Sequence, residues 1–386
     1  MAKKATLVID FGNSATRFNV IYDTESGIHQ ERFHSVENTF ARLSGDYVVP
    51  EAYMNRENTF IEFSGDVYAH GPIVEREFPK SLIRPSTVEK KYTAQATELA
   101  VRYALYQGIK DVAEFSGEIG SKLDKVSKDI EWSIVALLPP NDVQNGKEAM
   151  RKNFKNIGSI QIAIPNAEGI FTESVKLDVE VDRVGILPEG SAACVYALRQ
   201  PGIDADTINS MILVIDIGSG TTDVCVVQGG KLVSSSMDTI EFGGRNVQNK
   251  VAKALRSDPD VGGDYPENVV ANAVATGSLV IRKGKEIDVS DLVRKAKEEV
   301  AESINQGITR YLENTDYATN QIAYLLPVGG GAIRNEGIEP LSQYVCDTVK
   351  KSAKLAEILP IPGGVSPRDL NVLGASLIVS GSGKKN

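Results

Sequence analysis

Two similar α/β halves, each opening on a β-hairpin with small residues at its tip, are what this sequence predicts. Three observations carry the expectation. The run Val8-Ile9-Asp10-Phe11-Gly12-Asn13-Ser14-Ala15-Thr16-Arg17 is echoed by Val214-Ile215-Asp216-Ile217-Gly218-Ser219-Gly220-Thr221-Thr222-Asp223. The two aspartates lie 206 residues apart, too far for a solenoid repeat and suited to two halves with a common beginning. The length of 386 residues fits two domains or one large α/β unit with its own core.

Each echo reads as an apolar strand ending in Asp, a turn of Gly and small hydroxyl residues, and a second β-rich run, Phe18 to Tyr22 or Val224 to Val227. The chemistry follows from the turn. Gly12, Gly218 and Gly220 permit backbone angles that gather successive N–H groups into one concavity, and small neighbours let a phosphate approach them. Ser14, Thr221 and Thr222 add hydroxyl donors. An Asp at the strand end repels phosphate but can hold Mg²⁺ or its waters and orient an attacking water.

Composition narrows the class. With 42 basic against 51 acidic residues, a net charge of −9 and 42% hydrophobic residues, the chain reads as an ordinary globular protein. It has no long basic stripe, so a link to DNA would need an adaptor. Cys194, Cys225 and Cys346 stand apart without zinc or disulfide spacing and read as reduced small hydrophobes. His29, His34 and His70, the only histidines, all precede residue 71, which leaves little material for a triad or a multi-histidine metal site. Asp10 interrupts the apolar start, and no run approaches the roughly 18 apolar residues of a membrane span, so the expectation is a cytoplasmic protein without a membrane segment.

The elements follow in order. Residues from about Phe33 to Pro85 read as an inserted subdomain, with strand-like stretches at Tyr47 to Pro50, Thr59 to Phe63 and Val67 to His70. Thr93 to Gly108 reads as a helix with Leu99, Tyr103 and Ala104 on one face. Leu187 to Leu198 reads as a helix of small residues starting near Glu189, with Gly202 as its break. Glu241-Phe242-Gly243-Gly244-Arg245 is a glycine turn that a helix entrance explains equally well. Ser290 to Asn314 reads as a long helix with Leu292, Ala296, Val300, Ile304, Ile308 and Tyr311 on its core face. Leu325 to Ile333 is an apolar strand running into Gly329-Gly330-Gly331, where backbone can approach a ligand closely. It is neither G-x-G-x-x-G nor a P-loop, which disfavours a Rossmann site and excludes a Walker site. Ser366 to Val379 reads as a helix with Ser366 as N-cap, Pro367 first, and Gly374 and Ala375 thinning its middle for a close crossing. Gly381 to Asn386 reads as a tail.

Taken in order, five of these segments resemble the actin, heat-shock ATPase and sugar-kinase superfamily: phosphate 1 at Asp10 to Arg17, connect 1 at Leu187 to Leu198, phosphate 2 at Asp216 to Asp223, the adenosine motif at Val328 to Ile333, and connect 2 at Asn371 to Val379. The implied fold is the actin-like, ribonuclease H-like pair of α/β domains. Each domain has a five-stranded mixed sheet, with nucleotide in the cleft between them. The implied limits are 1–187 for domain I with its insertion at about 33–85, 188–370 for domain II, and 371–386 for a helix returning to domain I with a short tail.

Carried over to this sequence, the resemblance gives Asp10 and Asp216 to the metal and the attacking water, and Glu189 to the water. It gives Gly12, Asn13, Ser14, Gly218, Ser219, Gly220 and Thr221 to the phosphates, and Gly329, Gly330 and Gly331 to the adenosine. Arg17 is either a phosphate contact or an exposed strand residue. Gly243 and Gly244 are similar to the chaperones' Gly-Gly turn, a feature plasmid actins share. Lys295 and Glu299 either reach the ribose and adenine or belong to a solvated helix face.

The implied cofactors are ATP or ADP with Mg²⁺, GTP being left open. The branch most resembled is the ParM-like or Alp-like actins, on the Asp10-x-Gly start, the Pro188-Glu189 connection and the chain length. That implies an ATPase forming head-to-tail filaments and moving plasmid or phage DNA through an adaptor. The alternative is a non-polymerising kinase or chaperone-like ATPase. The chain ends soon after connect 2, which argues against a complete chaperone, and it offers no evident carboxylate base for a sugar kinase or membrane helix for the wall-shape actin.

Overall fold

The structure, a computed structural model, describes residues 3–382 apart from 14, 24–28, 56, 80, 85–89, 119–121, 259–260, 282–283, 316–318, 355 and 362. The chain divides into two compact units. One comprises Met1–Leu138 and Asp142–Pro188, the other Pro139–Asn141 and Glu189–Asn386.

The main sheet of the first unit orders its strands as His29–Glu37, Ala15–Asp23, Lys3–Phe11, Ile130–Leu138 and Glu180–Pro188. The first three pair antiparallel and the last two continue in parallel. The second unit repeats the pattern with Lys231–Leu232, Thr222–Gln228, Met211–Ile217, Ile322–Val328 and Glu357–Ile358, antiparallel through the third and parallel beyond it. The short strand Asp238–Ile240 also pairs with Thr222–Gln228. The echoed hairpins are thus the equivalent first two strands of two equivalent sheets.

All seven residues of Met211–Ile217 are buried, because both faces of the sheet are covered. Leu213, Ile215 and Ile217 pack with helices Gly244–Ser257, Ser290–Glu313 and Leu341–Ser352. Ile212 and Val214 face the other way, into a cluster with Ala193, Cys194 and Leu370. In the first unit the helix Gln95–Phe115 lies on the sheet beside Trp132, and a Cβ on Gly108 would stand 2.7 Å from the indole ring.

Several boundaries differ from expectation. Tyr47 to Pro50 forms no strand, although Thr59–Phe63 and Asp66–His70 do. Val49 instead donates its N–H to the Gly169 carbonyl at 2.9 Å, a single loop contact in place of a ladder. Phe33 to Glu37, read as part of the insertion, instead belongs to the main-sheet strand His29–Glu37, and the sheet holding Thr59–Phe63 recruits a later hairpin, Ser159–Pro165 and Phe171–Asp178, whose first strand pairs with Thr59–Phe63. The helix read from Ser366 begins at Leu370. Ser366 closes the preceding turn through its carbonyl, which accepts from the Asp369 N–H. That helix, sent to the first half by the sequence reading, clusters with the second unit, where it packs on helix Ser191–Leu198. Residues 383–386 lie outside the described residues.

The three cysteines are free and buried, and burial pushes the Cys194 and Cys346 thiols up to about 12. Among the described residues no helix is long and apolar enough to cross a membrane.

His70 is buried between the Phe40 and Tyr103 rings, its Nε2 donating to the Glu37 carbonyl at 2.9 Å. Burial pushes its pKa down to about 4. The unfolded chain takes this proton near the ordinary value of about 6.5, so between those values the unfolded state binds more protons and stability is lost as the pH is lowered. We expect the step from pH 7 to pH 5 to cost about 2 kcal/mol at this site. Urea unfolding of wild type and His70→Gln at both pH values checks it, since identical pH dependence in the two would remove His70 from the account.

Candidate functional site

In the second unit the carboxyl ends of two neighbouring parallel strands lie side by side, Asp216 in register with Val328. Such strand ends are where ligands sit in open α/β sheets. The chain leaves Val328 into Gly329, whose φ of +81° is one that L side chains rarely adopt. A Cβ there would collide with Asp216 Oδ1 and lie 2.7 Å from the Ile217 carbonyl oxygen. The Gly329 N–H donates to the Pro367 carbonyl at 3.1 Å, and the Arg368 guanidinium lies against Gly330. The triple glycine is therefore a backbone surface built directly against Asp216.

Asp216 is buried and its Oδ2 accepts from Asn371 Nδ2 at 2.7 Å. The other end of the same amide, Asn371 Oδ1, accepts from the Gly190 N–H at 2.8 Å. One side chain on the C-terminal helix thus ties the phosphate 2 aspartate to the residue after Glu189. Glu189 is buried as well, just ahead of helix Ser191–Leu198 rather than in its first turn, because Gly190 takes φ +76° before the helix begins.

The turn after Asp216 rests on the start of helix Gly244–Ser257. The Gly244 N–H donates to the Gly218 carbonyl at 3.0 Å and the Arg245 N–H to the Ser219 carbonyl at 2.6 Å. In a trans peptide the C=O and N–H point opposite ways, so the N–H groups of Ser219 and Gly220 face away from that helix. Two successive N–H groups turned the same way are an arrangement that can receive an anion. Gly243 makes the seat: a Cβ there would lie 2.7 Å from the Gly218 carbonyl oxygen. Gly244 and Arg245 hold that turn through their backbone N–H groups, while Gly243, whose own N–H donates to Asn246 Oδ1 at 2.8 Å, opens the helix. Thr222 Oγ1 donates to the Phe242 carbonyl at 2.8 Å, so that hydroxyl anchors the hairpin.

In the first unit, Asp10 and Arg17 are both buried and pair directly across the hairpin. The Arg17 guanidinium stands 3.4 Å from where a Cβ on Gly12 would be, so it leans over the turn and is no exposed strand residue. Buried Asn38 braces the turn from below, Nδ2 donating to the Gly12 carbonyl at 3.1 Å. Asn13 is half-buried in the turn; Ser14 lies outside the described residues.

Lys295 and Glu299 are exposed on helix Ser290–Glu313, and Glu299 pairs with Lys250 at 2.6 Å, as a solvated face does. The buried lysine of that helix is Lys297, whose Nζ donates to the Glu339 carbonyl at 2.7 Å and whose pKa burial pushes down to about 8. The sequence reading missed Asn371 and Asn38. Asn371 was legible as the one amide inside an otherwise apolar helix start, whereas nothing local marks Asn38.

Both aspartates supply hard carboxylate oxygens, which suit Mg²⁺. Among the described residues no group of three metal-ligating side chains gathers. The Asp216 carboxylate by itself fits a cation that takes most of its ligands from phosphate and water, as Mg²⁺ commonly does in nucleotide sites.

The fold is that of the actins. The archaeal actin homolog Ta0583 superimposes with a TM-score of 0.68 at 15% identity, over 98% of this chain and 99% of that one. Its complex with ADP gives 0.65 at 16% identity, over 98% and 99%. A 15-stranded ParM filament from Clostridium botulinum gives 0.64 at 17% identity, over 96% of this chain and 97% of that one. The sequence itself matches the family described as archaeal actin homologue MreB-like, C-terminal, over residues 214–336. That stretch runs from the phosphate 2 strand through the triple glycine. No curated protein matches the chain by sequence.

Proposed function

We propose that the chain is an actin-like ATPase that binds ATP with Mg²⁺, assembles head to tail into a filament and hydrolyses the nucleotide on assembly. Plasmid or phage DNA, attached through an adaptor, is the cargo this reading favours. The observation that carries it is the Asp216–Asn371–Gly190 network set against the triple glycine. A buried carboxylate held in one orientation beside a surface of bare backbone suits a metal-bound polyphosphate. Phosphoryl chemistry needs mainly such positioning and charge neutralisation.

In this reading Asp216 and Asp10 hold the metal's water shell. The Ser219 and Gly220 N–H groups take phosphate oxygens, Arg17 adds positive charge at the first turn, and Glu189 orients the attacking water. The bound metal supplies charge neutralisation of the phosphates. Head-to-tail contacts that do not close generate a filament.

The test follows light scattering, phosphate release and negative-stain images over a concentration series with Mg-ATP, Mg-ADP or no nucleotide. A threshold concentration, filaments and phosphate release lagging assembly are expected. ATP turnover linear in protein with no polymer would replace the filament reading with a kinase or chaperone-like one, and absence of nucleotide binding would end both. Glu189→Ala should slow phosphate release about 100-fold while nucleotide affinity holds, the scale of a lost water-activating group; wild-type release from that variant removes Glu189 from the mechanism. Asp10→Ala should lose the magnesium-dependent part of ATP affinity, and equal affinity with and without metal in wild type and variant would refute its role.

A further inference from the structure

Behind the triple glycine lies a cavity of about 400 Å³ that the nucleotide reading leaves unused. Its frame includes Pro327, Pro340, Pro360 and Pro367, whose fixed φ angles keep the walls from collapsing inward. Cys346 and Leu359, both buried, line it, and its polar members are Arg334, Ser342 and Gln343. A preformed apolar cavity of this size with a few polar groups at one place is the usual form of a small-molecule site. The Arg334 guanidinium is exposed, 3.5 Å from the Gln343 amide oxygen, and presents a planar fork of donors that matches a carboxylate.

We propose that this cavity is a regulatory site for a small carboxylic acid with an apolar body. The carboxylate pairs with Arg334 and the hydrocarbon packs against Leu359 and Cys346. Two of its wall residues connect it to the site described above. Ala332 closes the glycine turn, and the Pro367 carbonyl accepts the Gly329 N–H at 3.1 Å. A ligand filling the cavity braces that contact and so holds Gly329 against Asp216. Ligand and nucleotide therefore bind together and strengthen each other, by the same factor in both directions. The coupling rests on the nucleotide reading; the binding of the acid does not.

The probe is 4-phenylbutyrate, followed by saturation-transfer NMR on the full chain without nucleotide, with 4-phenylbutyramide as its uncharged counterpart. A ligand of this size is expected to bind at about millimolar Kd. Arg334→Ala should weaken the acid about tenfold, the scale of one charge-assisted pair, and leave the amide unchanged. The residue is exposed, and an unchanged melting temperature confirms that the variant folds. Saturating Mg-ATP should tighten the acid about fivefold. No binding of the acid, equal loss of acid and amide in Arg334→Ala, or displacement of the acid by nucleotide each overturns the proposal, the last because the cavity would then belong to the base. If the chain binds no nucleotide, the NMR comparison of acid and amide still decides whether the site exists.

Discussion

Gly374→Val is expected to cost the second unit about 4 kcal/mol or more and to lower its melting temperature by about 10 °C. The reason is one helix crossing. Helix Leu370–Ser382 lies on helix Ser191–Leu198, and an added Cβ at Gly374 would fall inside the Ala192 carbonyl group, with the Ala193 nitrogen 3.3 Å away. These are backbone atoms and cannot step aside as a side chain would. Ala192, Ala193 and Ala375 are all fully buried around the crossing, which leaves no slack. Gly374→Ala should fall between, about 3 kcal/mol, even though alanine gains about 1 kcal/mol in helix propensity over glycine. Gly381 on the same helix is the control. A Cβ there meets only the Arg199 guanidinium, at 3.4 Å, so Gly381→Ala should leave stability within about 0.5 kcal/mol. Equal melting of Gly374→Val and Gly381→Ala would show that the helices separate freely at this point.

That crossing was legible in the sequence as two small residues inside an apolar helix, yet the partner was not. The same division runs through the molecule. Features set by local chemistry could be read directly: the Asp-ended hairpins, the triple glycine, the 4- and 3-residue spacing of Ala296, Val300, Ile304, Ile308 and Tyr311 on helix Ser290–Glu313. What depends on distant parts of the chain could not. The hairpin Ser159–Pro165 and Phe171–Asp178 joins a sheet whose other strands lie between residues 40 and 83, and no periodicity reports such a pairing. Tyr47 to Pro50 has strand-like composition, but with one backbone contact to Gly169 in place of a ladder partner it stays irregular.

The candidate site divides in the same way. Asp10, Asp216 and the glycines announce themselves because a strand ending in Asp before a turn of small residues is a pattern few sequences repeat. Asn38 and Asn371 act by holding others, 26 and 155 residues away along the chain, and an asparagine in isolation has many uses. Arg17 was ambiguous in sequence because its position in a strand predicts exposure. In the structure it is buried and leans over Gly12, opposite Asp10 across the hairpin.

On the proposed ATPase function, Asn371→Ala should lower ATP turnover about 100-fold, and in any case it should destabilise the second unit by about 3 kcal/mol, because the one amide serves two buried partners. Removing it strips Asp216 Oδ2 of its 2.7 Å donor and the Gly190 N–H of its 2.8 Å acceptor. A buried polar group left without its hydrogen bond costs about 1–3 kcal/mol, and more when it carries charge. The kinetic loss has a different origin. In the proposed function, Asp216 without the amide can rotate away from the position assigned to it beside the phosphates, and Gly190 no longer fixes the backbone that carries Glu189; misplacement by about 1 Å is enough for a 100-fold loss. Asn371→Asp separates the two effects. A carboxylate there still accepts from Gly190 but cannot donate to Asp216 unless protonated, and two buried carboxylates would face each other. It should therefore lose turnover at least as severely as alanine at pH 7 and recover part of it as pH falls and the pair takes up a shared proton. Measured together, turnover and urea stability of the two variants decide the matter. If Asn371→Asp hydrolyses ATP like wild type at pH 7, the amide does not orient Asp216, and the carboxylate must be placed by the sheet alone.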